Sequence, residues 1–476
     1  MDFTLLFISI IVFLFILIIK SRSKLDIPGP RGIPVFGNLL QLGKKPHETM
    51  LKLYLKYGNV FSLRFGAIDT VILSEPEIIK QAFMQHGDVF NPRFVRKSRK
   101  ATSNEMNLAS SNGEYWKTVR GLVAGDLTAS KLKQFETQIQ EESDLLCQYF
   151  KDISGQCEQP HTFLKMYSLN NVLRFTFSLH YPYDSNSLSV DIIKNIHDYF
   201  ITVGQAFPQD YIPILYPFFK NSPKKYFDSY NNLFNYIQSV LKDKESTFDK
   251  SNPKDLMETL IVAFDKLGLP QSGVSPTCLD ILVAGADTTS YSLIFLLMEM
   301  LNNPNIQDKL HSELAANFSL SQEISYKDRS KTPYLNACLK EIQRLYPTAP
   351  LGVPHITSKD IEFCGYKIPK DTQVLVNIYG THRSPKIWDQ PLLYKPTRFL
   401  SEHSQENNSK ICIFGFGSRN CVGFNLAEQE LYIVAAKLFR RFQFKRPLEA
   451  LIDTSTDFGL TLGAKDYKCI IEKRIV

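Results

Sequence analysis

The segment Phe414–Gly423 restricts what this chain of 476 residues can fold into more than any other feature of its sequence. It reads Phe-Gly-Phe-Gly-Ser-Arg-Asn-Cys-Val-Gly, and an amphipathic helical pattern starts directly after it, at Asn425. Glycines permit tight turns and let a bulky group approach the backbone closely. The N-terminus of a helix and the free N–H groups of such a turn favour the thiolate form of Cys421. The segment therefore predicts a cysteine that is either a buried structural residue or a thiolate ligand.

Composition excludes several other classes of protein. With 44% hydrophobic and 12% aromatic residues, the chain is too apolar to be intrinsically disordered. Eight cysteines in a chain of this length, with no Cys-x-x-Cys spacing, argue against a disulfide scaffold and against structural zinc. The net charge of +7 suits a membrane surface or an acidic partner, and it is too small for a nucleic-acid-binding protein.

Hydrophobic periodicity predicts a mainly α fold with a small β region. Beyond Pro34 the sequence shows neither repeats nor a second linker, so we expect one large domain over residues 34–476. Irregular sequence of about eighty residues precedes the Cys421 segment, and a long irregular stretch is typical of a functional loop. The predicted strands lie near 60–65, 70–73, 371–378, 459–463 and 468–473. The predicted helices lie near 46–57, 75–86, 113–125, 130–151, 163–179, 190–205, 223–250, 253–266, 276–301, 304–317, 332–346 and 424–440.

The first residues carry an apolar run, 3–19, which is followed by the basic residues Lys20, Arg22 and Lys24. At about 1.5 Å per residue the run spans roughly 25 Å, which matches a thin bilayer such as that of the endoplasmic reticulum. A cleaved signal peptide is the alternative, but no basic residue precedes the run and no small-x-small cleavage site follows it. We therefore predict an uncleaved single-pass anchor at 3–19 and a basic, proline-rich linker at 20–33. The positive flank predicts that the domain faces the cytosol.

All five fixed positions of the pattern F-x-x-G-x-R-x-C-x-G are occupied, by Phe414, Gly417, Arg419, Cys421 and Gly423. This segment resembles the proximal signature of the haem-thiolate monooxygenases, the cytochrome P-450 family, and other motifs extend the resemblance over essentially the whole chain. The resemblance implies haem b as cofactor, with the Cys421 thiolate as axial ligand of its iron.

A second motif is Glu341-Ile-Gln-Arg344, with Arg398 downstream in Pro-Thr-Arg-Phe. Residues i and i+3 lie on one helix face, so Glu341 and Arg344 can pair, although such a pair is commonly a weak surface salt bridge. The resemblance implies that Arg398 joins them in a buried triad that holds the loop of Cys421.

The motif Ala284-Gly-Ala-Asp287-Thr288 lies inside a strongly apolar predicted helix. A buried aspartate is costly unless it is hydrogen-bonded. An exposed polar stripe on an amphipathic helix is the alternative interpretation, but apolar residues surround the motif on most faces and argue against it. The resemblance implies that this helix crosses the distal haem face. Ala284 and Gly285 would then make room for dioxygen, while Asp287 and Thr288 would relay protons to it.

Trp116 and Arg120 are spaced i and i+4, which places two hydrogen-bond donors on one helix side. The resemblance implies that they hold a haem propionate together with Arg419 and His355. On its own a histidine after proline, as in Val-Pro-His355, is more often an ordinary surface residue.

The resemblance implies a monooxygenase that takes electrons from a separate NADPH-dependent reductase, with a cytochrome b-type protein as a second donor. A haem-thiolate isomerase or dehydratase, which needs no external electrons, and a non-catalytic membrane haem protein are the alternatives. We expect an acidic partner to meet a basic surface formed by Arg419, Lys437, Arg440 and Arg441.

The apolar loop 206–219 predicts contact with the bilayer surface and a lipophilic small-molecule substrate, and ordinary packing against the core is an equally good interpretation of it. We expect the enzyme in the endoplasmic reticulum membrane.

Overall fold

Helices form most of the part of the chain that the computed structural model describes, residues 25–184, 187–205, 207–400 and 402–474. The predicted anchor at 3–19 and the linker residues 20–24 lie outside these ranges. The helices are α1 (Pro46–Tyr57), α2 (Pro76–Lys80), α3 (Gly87–Phe90), α4 (Lys97–Ser103), α5 (Gly113–Asp126), α6 (Ala129–Asp152), α7 (His161–Phe177), α8 (Leu188–Gly204), α9 (Pro208–Tyr211), α10 (Tyr216–Phe219), α11 (Lys224–Glu245), α12 (Leu256–Leu267), α13 (Val274–Asn302), α14 (Pro304–Asn317), α15 (Pro333–Leu345), α16 (Ile378–Arg383), α17 (Ser404–Ser409) and α18 (Phe424–Arg441).

The strands are short and form four small sheets. They are β1 (Val60–Phe65), β2 (Ile68–Leu73), β3 (Cys157–Glu158), β4 (His355–Ile356), β5 (Ile361–Phe363), β6 (Tyr366–Ile368), β7 (Gln373–Val376), β8 (Phe442–Lys445), β9 (Thr456–Phe458), β10 (Leu462–Ala464) and β11 (Cys469–Lys473). The largest sheet has the order β1-β2-β7-β4, in which β2 and β7 run parallel with Val71 opposite Val374. A three-stranded sheet, β3-β11-β8, and the hairpins β5–β6 and β9–β10 complete the β region. The predicted mainly α fold with a small β region is confirmed.

Helix α13 lies in the core, packed against α7, α11, α12 and α18. Apolar residues surround it on most sides, as a helix in the centre of a large domain requires. Within the described ranges, the helical stretch Gln271–Asn302 is the one that is long and apolar enough to cross a membrane. However, 78% of its most apolar window is buried inside the domain.

Gly285 makes a close contact between α13 and α7. A Cβ placed on Gly285 would lie 2.9 Å from Cγ2 of Val172 on α7. Because this contact is tighter than side chains tolerate, glycine is required there for helix packing. The expectation that Gly285 makes room for dioxygen is therefore wrong: the position faces α7.

The described part of the predicted linker lies on the sheet. Leu25 and Ile27 are buried in an apolar cluster with Val60 and Val71. The Ser62 hydroxyl donates to the Ile27 carbonyl at 2.9 Å, and the Ser62 N–H donates to the Pro28 carbonyl at 2.8 Å. This segment is consequently attached to β1 along its length.

The expected basic surface at the end of α18 does not form. Lys437 is only 2% exposed and pairs with Asp144 at 2.7 Å and with Glu323 at 3.0 Å. Arg441 pairs with the same Asp144 at 2.7 Å. Arg440 and Arg419 are both buried. The four cations are thus buried or paired with carboxylates, and for Lys437 and Arg441 the carboxylate comes from α6, which packs against α18.

Candidate active site

A cavity of about 320 Å³ lies between α13 and the Cys421 loop. Both motif regions contribute to its wall, and so do the segment before β4 and the turn between β9 and β10. Its lining includes these sequence-predicted residues: Trp116, Arg120, Ala284, Thr288, His355, Phe414, Arg419 and Cys421. The structure thus brings together residues that are up to about three hundred positions apart in the chain.

The Cys421 loop is closed by backbone hydrogen bonds. The Cys421 N–H donates to the Phe414 carbonyl at 2.7 Å, and the Asn420 N–H donates to the Gly417 carbonyl at 3.2 Å. Gly417 has φ +69°, and a Cβ there would lie 2.2 Å from the carbonyl oxygen of Phe83. Only glycine permits this close approach, so the motif glycine fixes the loop against the segment after α2.

The sulfur of Cys421 is open to the cavity, although it lies deep below the outer surface of the protein. Burial raises the pKa of the Cys421 thiol, while the N–H of Gly423 and the positive charge of Arg120 oppose that rise. Gly423 is the N-cap residue of α18, so the sulfur lies at a helix N-terminus. A metal ion at this position would deprotonate the thiol outright. The loop therefore suits a thiolate that is ligated to a metal.

Three arginines crowd one edge of the cavity, and the sequence analysis included two of them, Arg120 and Arg419. The third, Arg93, lies just before α4. Burial and the two neighbouring cations lower the pKa of Arg419 to about 9, and burial and Arg120 do the same for Arg93. The Nε atoms of Arg93 and Arg419 are buried without a hydrogen-bond partner in the described part of the chain.

Aromatic and amide groups hold these cations in place. The Arg419 guanidinium lies 3.5 Å from the ring centroid of Trp116 and donates to the Ser111 carbonyl at 2.8 Å. Arg120 donates to the Asn420 carbonyl at 2.8 Å, next to Cys421. Trp116 therefore orients Arg419 through a cation–π contact.

His355 supports Arg93. Nη1 of Arg93 donates to Nε2 of His355 at 2.5 Å, and Nδ1 of His355 lies 3.3 Å from the Asn91 carbonyl. Burial and the nearby Arg93 and Arg419 keep the pKa of His355 well below its usual range. As arginine can only donate, the ring is neutral with its proton on Nδ1. Both ring nitrogens of His355 are thus hydrogen-bonded. His355 therefore positions Arg93, which lines the cavity.

Helix α13 forms the wall opposite the cysteine. Ala284 and Thr288 line the cavity, and the Thr288 hydroxyl donates to the Ala284 carbonyl at 2.8 Å. Asp287 is 4% exposed and does not line the cavity. Burial raises its pKa to about 6, against the effects of Lys165 and of a hydrogen bond from Thr461. Asp287 and Thr288 thus face different sides of α13.

The predicted triad residues meet away from the cavity. Arg344 makes a bidentate pair with Glu341 at 2.7 and 2.9 Å, and Arg398 donates to Glu341 at 3.0 Å, all fully or largely buried. Such a pair is strong because both charged groups are hydrogen-bonded on several sides.

His382, which the sequence analysis gave no role, connects this triad to the cysteine loop. Its carbonyl accepts from Arg344 at 2.7 Å, and its Nε2 accepts from the Cys412 N–H at 3.0 Å. Since Cys412 begins the turn that leads to Phe414, the triad stabilises the segment that carries the thiol.

These residues fit a haem. One thiol faces the cavity from the proximal wall, and uncompensated arginines occupy one edge, where propionates need cations. Asp280 is the single carboxylate among the described lining residues, and it already pairs with Arg99 at 2.6 Å. The small side chain of Ala284 on α13 would leave space between this helix and a bound haem.

Comparison with known proteins agrees with this geometry. The family model described as Cytochrome P-450 matches residues 27–471. The chain is 36% identical to probable cytochrome P-450 513D1 of Dictyostelium discoideum, over 95% of both chains. It is 33% identical to probable cytochrome P-450 513C1 of the same organism, over the whole of both chains.

Solved structures agree as well. A zebra fish cytochrome P-450 solved with abiraterone superimposes with a TM-score of 0.80 at 26% identity, and the match covers 91% of this chain and 100% of that one. The same fold, a thiol that faces the cavity and arginines at one edge of it lead to one conclusion. The chain belongs to the cytochrome P-450 family of haem-thiolate monooxygenases.

Proposed function

We propose that this chain is a single-pass enzyme of the endoplasmic reticulum membrane that inserts one atom of dioxygen into a lipophilic substrate in the cytosol-facing domain. The observation that carries the proposal is the contrast between the two cavity walls. A thiol lies on the proximal side and cations lie at one edge, while Leu108, Phe200, Ile281 and Leu460 make the distal side apolar. Such a surface binds apolar molecules by removing their area from water.

Haem supplies the activation of dioxygen when it is bound, and the residues of the chain do the rest. Cys421 would ligate the haem iron through its thiolate, and Arg93, Arg120 and Arg419 would hold the propionates. Thr288 holds a hydroxyl at the distal wall, and Asp287, on another side of α13, is a buried carboxyl whose pKa is raised to about 6. The apolar wall would limit the access of bulk water, so that polar side chains of the wall would deliver the protons.

We propose a separate NADPH-dependent reductase as electron source and a cytochrome b-type protein as a second donor. The net charge of +7 supports an acidic partner. The contact does not involve the buried or paired cations of α18.

A second cavity, of about 420 Å³, supports substrate entry from a membrane. It shares Gly352 and Leu460 with the haem cavity, and Leu39, Leu42 and Tyr211 also line it. Exposed apolar side chains lie close by in the chain: Leu40 is 63% exposed, Ile214 74% and Phe218 78%.

The loop 206–219 is interpreted either as a contact with the bilayer or as ordinary packing against the core, and each interpretation has support. Phe207, Tyr211 and Ile212 pack into the domain, while the segment from Ile214 onward presents its apolar side chains outward. We infer that the outer half meets the bilayer surface. A zebra fish relative was solved with progesterone, which supports an apolar substrate class.

The decisive experiment is the reduced, carbon monoxide-bound spectrum of Cys421→Ser. We expect the strongly red-shifted Soret band of the wild-type protein to be lost, because an alcohol cannot replace the thiolate as electron donor. Cys364→Ser is the matched control, since Cys364 is exposed on the β5–β6 turn and should leave the band unchanged. A red-shifted band that persists in Cys421→Ser would show that another residue is the ligand.

Substrate oxidation is measured with purified reductase and NADPH. Product that contains one atom from labelled dioxygen supports the monooxygenase. Turnover that proceeds without NADPH would instead show an isomerase or dehydratase.

A further inference from the structure

Asp287 reaches the haem cavity through a residue from a distant part of the chain. The carboxyl lies on the side of α13 away from the cavity, where its neighbours belong to other elements. The hydroxyl of Thr461 donates to Oδ2 of Asp287, and Thr461 itself lines the cavity. Thr288, the next residue along α13, uses its hydroxyl for the Ala284 carbonyl. Thr461 is therefore the hydroxyl that joins Asp287 to the cavity in this structure.

The turn that carries Thr461 is held firmly from both sides. The Leu460 N–H donates to the Phe200 carbonyl on α8 at 2.8 Å, and the Leu462 N–H donates to the Thr348 carbonyl at 2.9 Å. A Cβ on Gly204 would lie 2.1 Å from the backbone of Gly459, so the C-terminal end of α8 presses directly on this turn. The position of the Thr461 hydroxyl is thus fixed by backbone contacts.

Behind Asp287, a polar path leads towards the outside of the protein. Lys165 on α7 is the charged group that acts on Asp287, and its Nζ lies 3.3 Å from the hydroxyl of Tyr291. The Tyr291 hydroxyl lies 3.2 Å from Nδ1 of His197 on α8. Lys165 and His197 are both partly exposed, whereas Tyr291 and Asp287 are buried. Among the described residues, no direct ion pair joins Lys165 to Asp287, so proton transfer between the two sites would need a bridging water.

We propose that protons for the distal side of the haem cavity pass from the region of Lys165 through Asp287 to the hydroxyl of Thr461. In the delivery step, the Asp287 carboxylic acid gives its proton to Oγ of Thr461, while Thr461 gives its own hydroxyl proton to an acceptor in the cavity. Asp287 is left as a carboxylate and takes a new proton from water beside Lys165. Thr461 is the relay residue, and Lys165 is a positioning residue that acts through Asp287. This inference rests on the proposed function, because it assigns a second hydroxyl to the same reaction.

Two competing explanations of the Thr461–Asp287 bond fit the geometry less well than this relay does. A relay through Thr288 alone would leave the Thr461–Asp287 bond without use. A purely structural Thr461 would not need a buried carboxyl as its acceptor, because backbone bonds already hold its turn. The pKa of Asp287, about 6, also lets the carboxyl exchange protons near neutral pH.

The contact is tested by infrared titration of the haem-loaded ferric protein, in which the Asp287→Asn difference spectrum identifies the carboxyl band. Thr461→Val removes a donor to the carboxylate, and Lys165→Met removes a positive charge, so each change should raise the titration midpoint above that of the wild type. Thr461→Ser should restore the wild-type midpoint. Thr348→Val, which removes a cavity threonine that does not bond to Asp287, should leave the midpoint unchanged. An unchanged midpoint in Thr461→Val or in Lys165→Met would overturn the proposal.

Proton delivery is tested by turnover with reductase in H₂O and in D₂O. Thr461→Val should slow oxygen turnover by about tenfold, the lower range of what a positioned proton donor contributes, and should enlarge the solvent isotope effect. Thr461→Ser should recover both quantities. Wild-type turnover with an unchanged isotope effect in Thr461→Val would show that Thr461 only packs. If the red-shifted carbon monoxide band is absent, the proposed function is wrong. The infrared midpoints would still test the Thr461–Asp287 contact, because they are measured without catalysis.

Discussion

Three arginine side chains, Arg93, Arg120 and Arg419, place positive charge at the edge of the haem cavity. Buried cations are costly unless anions or hydrogen-bond acceptors compensate them. Here the Nε groups of Arg93 and Arg419 have no acceptor among the described residues, and their pKa values are lowered to about 9. The free cavity is therefore electrostatically unfavourable, and two carboxylates would remove the cost. We infer that part of the affinity for haem comes from relief of this repulsion.

Replacement of Arg93 should weaken haem retention. Arg93→Met removes one donor to the propionates and leaves the neutral His355 without its partner. A hydrogen bond to a charged group contributes about 1.5–3 kcal/mol, so haem loss should become roughly ten- to a hundredfold faster. Transfer of haem to excess apomyoglobin measures this rate.

The exposed Arg329 provides the matched control, because Arg329→Met changes the same residue type away from the cavity. Haem loss from Arg93→Met at the wild-type rate would mean that Arg93 does not hold a propionate.

The residues that the sequence analysis missed have no local signal. Arg93 lies in an apolar segment, Val-Phe-Asn-Pro-Arg-Phe, where a charge hints at burial but not at its partner. Thr461 lies 174 residues after Asp287, in a hairpin turn, and nothing near it indicates a bond to a buried acid. By contrast, the Cys421 motif is contiguous, because one loop must supply the ligand, the turn and the helix start together.

At the level of elements, the buried carboxyl of Glu430 lies at the contact between α18 and α13. Glu430 on α18 is 3% exposed, and burial raises its pKa to about 8, opposed by a hydrogen bond with Thr289. Tyr167 of α7 donates to the Glu430 carbonyl at 3.3 Å, so three helices meet here. At neutral pH the Glu430 side chain is consequently uncharged, as a buried group without a cation must be.

Glu430 should make stability depend on pH. The folded protein holds the proton up to about pH 8, whereas the unfolded chain releases it near its usual pKa. The stabilisation is therefore complete below the unfolded pKa, decreases between the two values and is lost above about pH 8. Glu430→Gln should flatten this slope by on the order of 1 kcal/mol per pH unit, measured as the free energy of unfolding in urea.

The exposed Glu449→Gln is the control for this titration and should keep the wild-type slope. An identical slope in Glu430→Gln would show that Glu430 is already ionised in the folded protein.

Element prediction succeeded where a long amphipathic pattern carries its own signal. Helix α14, at Pro304–Asn317, agrees with the predicted 304–317, and most other long helices differ by one to a few residues at each end. Helix α4, at Lys97–Ser103, was missed because its N-terminus is stabilised by Asp210, more than a hundred residues away. Short helices in the stretch before Cys421 were missed for the same reason, since tertiary contacts rather than periodicity hold them.

At the scale of the whole molecule, the N-terminal segment and the cavities lie on connected surfaces. Leu25 and Ile27 pack on the sheet that contains β1, and Phe65 at the end of β1 lines the second cavity. The exposed Leu40 follows Leu39, which lines that cavity as well. An anchor that precedes Leu25 would hold this face close to the bilayer, and a lipophilic substrate would then enter without crossing bulk water. Such an anchor would couple attachment to the membrane with substrate entry.

Deletion of residues 1–20 and deletion of residues 1–30 should give different results. The first removes the predicted anchor and leaves Leu25 and Ile27 on β1, so membrane retention should weaken while the haem spectrum and stability stay unchanged. The second also exposes the surface under these two residues. Burial of one such side chain contributes about 1.5–3 kcal/mol, so the longer deletion should lower the free energy of unfolding by on the order of 3–6 kcal/mol. Sedimentation with vesicles and urea unfolding measure the two effects.

In the shorter deletion, Phe218→Ser should reduce the residual vesicle binding further, because Phe218 is 78% exposed. Haem loss in the shorter deletion would contradict this account, since it would make the first twenty residues part of the haem domain.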